Sequence, residues 1–247
     1  MMTTITKTAP GLVNSPQKSC KSLVPFLFLL PVLLCLPLDA VMAHGVSGDD
    51  AAYLERISGV QFFPFMYLGA KHMFTGYDHL LFLAGVIFFL YRLKDVALYV
   101  SLFAVGHSIT LLTGILGGIR ADAYIVDAII GLSVVYKAFE NMGGFERMGI
   151  NINTRAAVFL FGLVHGFGLS TKLQDLALSD EGIVSNMIAF NIGVEFGQLA
   201  ALALMLIVFQ LWRTKPSFLQ GAFTTNLVIM TAGFMLFGYQ MTGYFVS

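Results

Sequence analysis

Six apolar stretches, roughly residues 72–91, 96–117, 122–139, 156–171, 186–212 and 223–245, follow one another along the chain. Each has about the length that a helical bilayer crossing demands, although the fourth is short and glycine-rich. Backbone groups in hydrocarbon must bond within their own segment, so such stretches fold as helices. Composition agrees: 57% of the 247 residues are hydrophobic and only 11% are charged. Soluble domains carry about a quarter charged residues, so the polar side chains here are too few to cover a water-soluble globule. The 14 basic and 14 acidic residues cancel, and no basic block occurs. Nucleic-acid binding therefore has no electrostatic footprint. The expected fold is an all-α polytopic membrane protein, a six-helix transmembrane bundle over residues 62–247.

Residues 1–43 read as a cleaved signal peptide. Lys7, Lys18 and Lys21 supply a positive start, Leu23 to Leu38 a short apolar run, and Val41-Met42-Ala43 the small residues of a cleavage site. Pro25, Pro31 and Pro37 interrupt the apolar run, which suits a leader better than a spanning helix. Cys20 and Cys35 are the only cysteines and both lie in this leader. The mature chain then has neither disulfides nor thiolate ligands, so any metal must be held by nitrogen and oxygen. Residues 44–61 form a short polar segment before the first crossing.

Orientation follows from the basic residues. Arg92 and Lys94, then Lys137, Arg147 and Arg155, then Arg213 and Lys215 fall on alternate sides of successive crossings and mark a cytoplasmic face. Arg56, Lys71, Arg120 and Lys172 lie on the other face, diluted by acidic residues. A bacterial inner-membrane location with both mature termini in the periplasm is the expectation.

Ionisable groups inside hydrocarbon are expensive and normally face a bundle interior, where they act. The first crossing carries His72, Asp78 and His79, the second His107, the third Asp127, the fourth His165, and the fifth Asn191, Glu195 and Gln198. Counting at about 1.5 Å per residue places these groups between the midplane and the periplasmic face, on helices that run in opposite directions. Three histidines at one depth, with Asp78 and Glu195, are hard to explain as packing. Imidazole with carboxylate suits a divalent transition metal such as Ni, Co or Zn. The candidate ligands are His72, Asp78, His79, His107, His165 and Glu195. His72 and His79 share a helix face but stand about 10 Å apart along an unbroken axis. One ion reaches both only if the helix breaks, for which Gly76 is the place; the simpler arrangement leaves His72 at an outer mouth. Asn191 and Gln198 read as helix-packing groups, and Gly162-x3-Gly166 and Gly193-x3-Gly197 as close-contact patterns. Asp122 and Asp175 read as solvated loop charges.

The chain also resembles the HupE/UreJ family of hydrogenase and urease accessory membrane proteins. The resemblance rests on His72-x5-Asp78-His79 running into LLFL, GHSITL at 106–111, LSVVYKAFEN at 132–141, FGLVHGFG at 161–168 and FNIGVEFGQ at 190–198. It implies a cleaved leader, about six helices and a nickel or cobalt permease activity. It also implies a functional place for His72, Asp78 and His79, and metalloenzyme-maturation proteins as partners. The nickel-importing branch of that family has a histidine and a glutamate where this chain has Gly162 and Gly168. The resemblance thus implies a metal site without fixing nickel.

Two functions fit these residues. In a transporter, a divalent cation comes from the periplasm, meets His72, and passes to His79, His107, His165 and Glu195, with Asp78 orienting a ligand. No GxxxxGK[ST] motif occurs, so such a permease runs on gradients or with partners. In an intramembrane zinc-dependent hydrolase of the ceramidase-like type, three histidines hold Zn and Asp78 or Glu195 serves as general base. The residues favour the transporter and leave the hydrolase as the alternative.

Overall fold

Among residues 48–54, 56–175 and 181–247, which the computed structural model describes, every regular element is a helix. They are α1 (Gly48–Leu54), α2 (Phe62–Thr75), α3 (Tyr77–Ile87), α4 (Leu93–Gly117), α5 (Ala123–Asn141), α6 (Gly144–Arg147), α7 (Thr154–Gln174), α8 (Ile183–Arg213) and α9 (Ser217–Val246). The signal peptide expected over residues 1–43 lies outside the described residues.

Four helices, α4, α7, α8 and α9, are long and apolar enough to cross a membrane by length and composition. Helix α5 spans 19 residues but carries Asp127, Lys137 and Glu140 within them. The first apolar stretch is not one helix. Its helix begins at Phe62, ten residues before the apolar run read from 72, and is divided at Gly76 into α2 and the short apolar α3.

Gly76 makes the division with little loss of backbone bonding. Its φ of −73° and ψ of 102° are extended rather than helical. Its N–H still donates to His72 O at 2.9 Å, and its carbonyl accepts from Leu80 N at 3.1 Å. The chain therefore changes direction between two helix ends that stay capped. At the other end of α3 a cation meets the last carbonyls, where the helix dipole favours positive charge. Arg213 donates to the carbonyl oxygens of Ile87, Phe88 and Leu90 at 2.5, 2.7 and 2.9 Å. Its guanidinium also lies 4.7 Å from the centre of the Tyr91 ring. Asn141 Nδ2 donates to Gly85 O at 2.8 Å from α5.

Around α3 the long helices pack in three intimate pairs: α4 with α7, α2 with α8, and α5 with α9. Glycines set the closeness of the first two. A Cβ on Gly106, Gly162 or Gly166 would strike the facing backbone of α7 or α4, and one on Gly69, Gly193 or Gly197 that of α8 or α2. Helices that touch through backbone gain dispersion contacts and lose little side-chain freedom, which drives association where no hydrophobic effect operates. The glycine patterns of the sequence are these two seams. Contacts rise together in number along α4 and α7 and along α2 and α8, so each pair is parallel, whereas Gly131 against Phe237 and Gly243 against Tyr124 make α5 and α9 antiparallel.

Two expected loop charges have definite partners. Asp122 caps α5, accepting from Ile125 N at 3.0 Å, as short acidic side chains do at helix starts. Asp175 pairs with Arg120 at 3.0 Å, with both side chains 59% exposed. Such a surface pair contributes about 0–1 kcal/mol.

Candidate metal centre

Four histidines from α2, α3, α4 and α7 meet inside the bundle. His72, His79, His107 and His165 are buried, at 8%, 3%, 0% and 1% exposure. The His79 ring stands at the middle, with its centre 5.1 Å from that of His72, 6.1 Å from His107 and 5.0 Å from His165. One ring nitrogen from each of His72, His79 and His107 lies within 4.8 Å of the others, a spacing that can hold a metal ion. Bringing these nitrogens to the separation of atoms that share one ion would take side-chain shifts of about 1 Å.

Hydrogen bonds set which nitrogen each ring offers. Asp78, fully buried in the first turn of α3, accepts from His79 Nδ1–H at 3.0 Å. This leaves His79 Nε2 as the lone-pair face, and that atom has no protein partner. A carboxylate behind an imidazole fixes the ring and raises its basicity, an arrangement typical of metal-binding histidines. His165 Nδ1–H donates to Phe161 O at 2.7 Å, which fixes its ring beside the group of three. His72 Nε2 and both nitrogens of His107 are buried without hydrogen bonds. Buried polar atoms nearly always find partners, so unbonded nitrogens on three neighbouring rings are groups able to ligate a cation.

The break at Gly76 explains how His72 joins the group. On an unbroken helix the two rings would be about two turns apart; the change of direction folds them together. His72 is therefore part of the cluster and not an outer-mouth residue. A Cβ on Gly76 would lie 2.7 Å from His79 Nδ1 and 3.1 Å from Asp78 Oδ1, so only glycine leaves the pair undisturbed.

Glu195 is not in the cluster. It is exposed, while Phe190, Val194, Gly197, Gln198 and Ala201 of the same helix are buried. At about 100° per residue the buried arc of α8 centres near Val194 and Ala201, with Asn191 and Gln198 at its edge; Glu195 falls about 120° away. Its glycine seam, Gly193 and Gly197, turns α8 toward α2 and carries the glutamate outward. Gln198, 1% exposed, donates to Val100 O on α4 at 3.4 Å, a packing bond. Asn191 Nδ2 bonds Met187 O within its own helix.

Two aromatic residues not singled out by the sequence press on the histidines. Phe82 lies 5.5 Å from the His165 ring and Phe103 4.9 Å from it. Their signal was spacing: Phe82 follows His79 by three residues and Phe103 precedes His107 by four, so each shares its histidine's helix face. Beyond His79 a small, nearly wholly apolar cavity continues toward the far end of α3, lined by Phe82, Leu83, Val86, Tyr99, Val158 and Gln198 among others.

Comparison with curated proteins and with solved structures finds no match. The family model described as HupE / UreJ protein matches residues 48–247, nearly the whole of the chain after the proposed leader. With its apolar helices and its buried histidine cluster, the chain is a multi-pass membrane protein that belongs to the HupE/UreJ family.

Proposed function

We propose that this protein is an inner-membrane permease for a divalent transition metal such as nickel or cobalt, or a metal-delivery accessory to metalloenzyme-maturation proteins. The observation that carries this reading is the meeting of His72, His79 and His107 within 4.8 Å, in a membrane protein of this family. The cation is cargo. His72, His79, His107 and His165 hold it, and Asp78 orients His79. Neutral imidazoles with one nearby carboxylate bind a divalent ion firmly without neutralising it, which suits a station that must also release.

Six crossings fit the packing. Taking α2 and α3 together as one crossing, successive crossings alternate in direction. That alternation makes α4 and α7 parallel, α2 and α8 parallel, and α5 and α9 antiparallel, as their contacts are. A discontinuous helix at the binding site is a recurring feature of transporters. Cleavage after Ala43 and both mature termini in the periplasm complete the reading, with access from the periplasmic side.

Reconstitution tests it. Proteoliposomes containing the full chain are expected to accumulate Ni²⁺ or Co²⁺, and His79→Ala to abolish the accumulation. Stoichiometric zinc retained through purification, with no uptake of any ion, would instead support the hydrolase.

A further inference from the structure

A second polar group is buried in the bundle apart from the histidines. Asp127 on α5 is 5% exposed. Its Oδ2 accepts from Lys172 Nζ at 2.6 Å and from Gln240 Nε2 at 3.3 Å, so α5, α7 and α9 converge on one carboxylate. Its Oδ1 is buried and has no hydrogen-bond partner. The Lys172 side chain is 18% exposed, and its flexible stem allows the ammonium to swing toward water.

Lys172 follows His165 by seven residues, so both lie on one face of α7, two turns or about 10 Å apart. Gly168 stands between them, where a Cβ would lie 3.4 Å from Asp127 Oδ1 and 3.2 Å from Val126. The glycine lets the backbone of α7 come close to the buried, unbonded edge of the carboxylate, one turn from His165 along the helix. A pair that only tied helices together would be expected to have all its polar atoms satisfied, since a partly bonded buried carboxylate is costly. Here one oxygen is unbonded, and the compensating cation is monovalent and on a long arm. Two carboxylate oxygens and the amide oxygen of Gln240, which a flip would present, are hard donors suited to a divalent cation.

We infer that Asp127, with Gln240, is a separate divalent-cation station on the way to the histidines, in which the Lys172 ammonium takes the cation's place until one arrives. An incoming ion displaces the ammonium toward water, occupies the carboxylate, and moves on past Gly168. The direction of travel rests on the reading under Proposed function; the station itself does not.

Equilibrium dialysis of Ni²⁺ against the purified full chain tests it in a His79→Ala background, where the histidine centre is disabled. H79A/K172Q is expected to bind one Ni²⁺ per chain at least about tenfold more tightly than H79A, the factor of one removed charge competitor. H79A/D127N is expected to bind none. The triple variant H79A/D127N/K172Q leaves no unpaired charge, should fold as judged by circular dichroism, and should also bind none. Equal Ni²⁺ binding by H79A, H79A/K172Q and H79A/D127N would overturn the station, and so would a loss of binding in H79A/K172Q. The two readings fail separately. If His79→Ala alone leaves wild-type binding and uptake unchanged, the histidine reading falls, while the opposed effects of Lys172 and Asp127 still report the station.

Discussion

The imidazole of His79 is held from behind by Asp78, and its ring centre lies 5.1, 6.1 and 5.0 Å from those of His72, His107 and His165. Asp78→Asn keeps the size of the side chain and removes its charge, so the ring loses orientation and basicity while the fold stays. Carboxylates placed behind a metal-bound histidine are worth about 10–100-fold in affinity. Asp78→Asn is therefore expected to weaken Ni²⁺ or Co²⁺ binding by about that factor in equilibrium dialysis, with an unchanged circular-dichroism spectrum. Unaltered affinity would show that Asp78 serves packing alone. At this scale much of the site was legible. A histidine in a hydrocarbon-length stretch stands out because water is absent there, and His79, His107 and His165 could be brought to one depth by counting residues. What counting could not give was direction around a helix. Glu195 has the right depth and the wrong azimuth, because the glycine seam at Gly193 and Gly197 rotates α8 about its axis.

Between residues and bundle stands α3, a helix of 11 residues fixed at both ends. Gly76 sets its start and Arg213 gathers its last carbonyls. Gly76→Ala places a methyl against His79 Nδ1, and the ring or the helix start must move. A loss of metal binding with the protein still folded is the expected outcome in a parallel dialysis and thermal-unfolding measurement; retained affinity would mean that the break tolerates a side chain. Arg213→Gln leaves carbonyls of Ile87, Phe88 and Leu90 without their donor. Unsatisfied buried polar groups cost about 1–3 kcal/mol, so this variant should unfold at a lower temperature in detergent. Gly162→Leu, pressed on the backbone at Phe103, should separate α4 from α7 and lower stability by overpacking, of order 1–3 kcal/mol. The sequence marked Gly76 as the one place where the helix could break, yet an apolar run reads the same whether continuous or divided. The bundle was read as starting at 62, but the apolar run only from 72, because aromatic residues interleaved with Gly69 and Lys71 blur its edge.

Across the whole molecule the directions of the three close pairs agree with the proposed alternating path through the bilayer, in which α2 and α3 count as a single passage. Which helices pair was not legible in the sequence, because several helices carry small-residue patterns and nothing local says which pattern faces which. The pairing of Asp127 with Lys172 was missed in the same way: Asp127 reads as a lone carboxylate inside a crossing and Lys172 as a charge at a helix end until α5 and α7 are brought side by side. Topology is open to a direct check, since a chain processed after Ala43 contains no cysteine. A cysteine placed at Ser247 should react with a membrane-impermeant maleimide in intact spheroplasts, and one placed at Arg147 only after permeabilisation. The reverse pattern would invert the bundle.

The central claim is that His72, His79, His107 and His165 form one cation-binding centre. X-ray absorption of the purified full chain loaded with one equivalent of Co²⁺ tests it most directly. The expected spectrum shows a nitrogen shell at about 2.0–2.1 Å with the outer-shell scattering of several imidazoles, and His79→Ala and His107→Ala each remove it. A shell without imidazole scattering, or one that survives both substitutions, would contradict the claim.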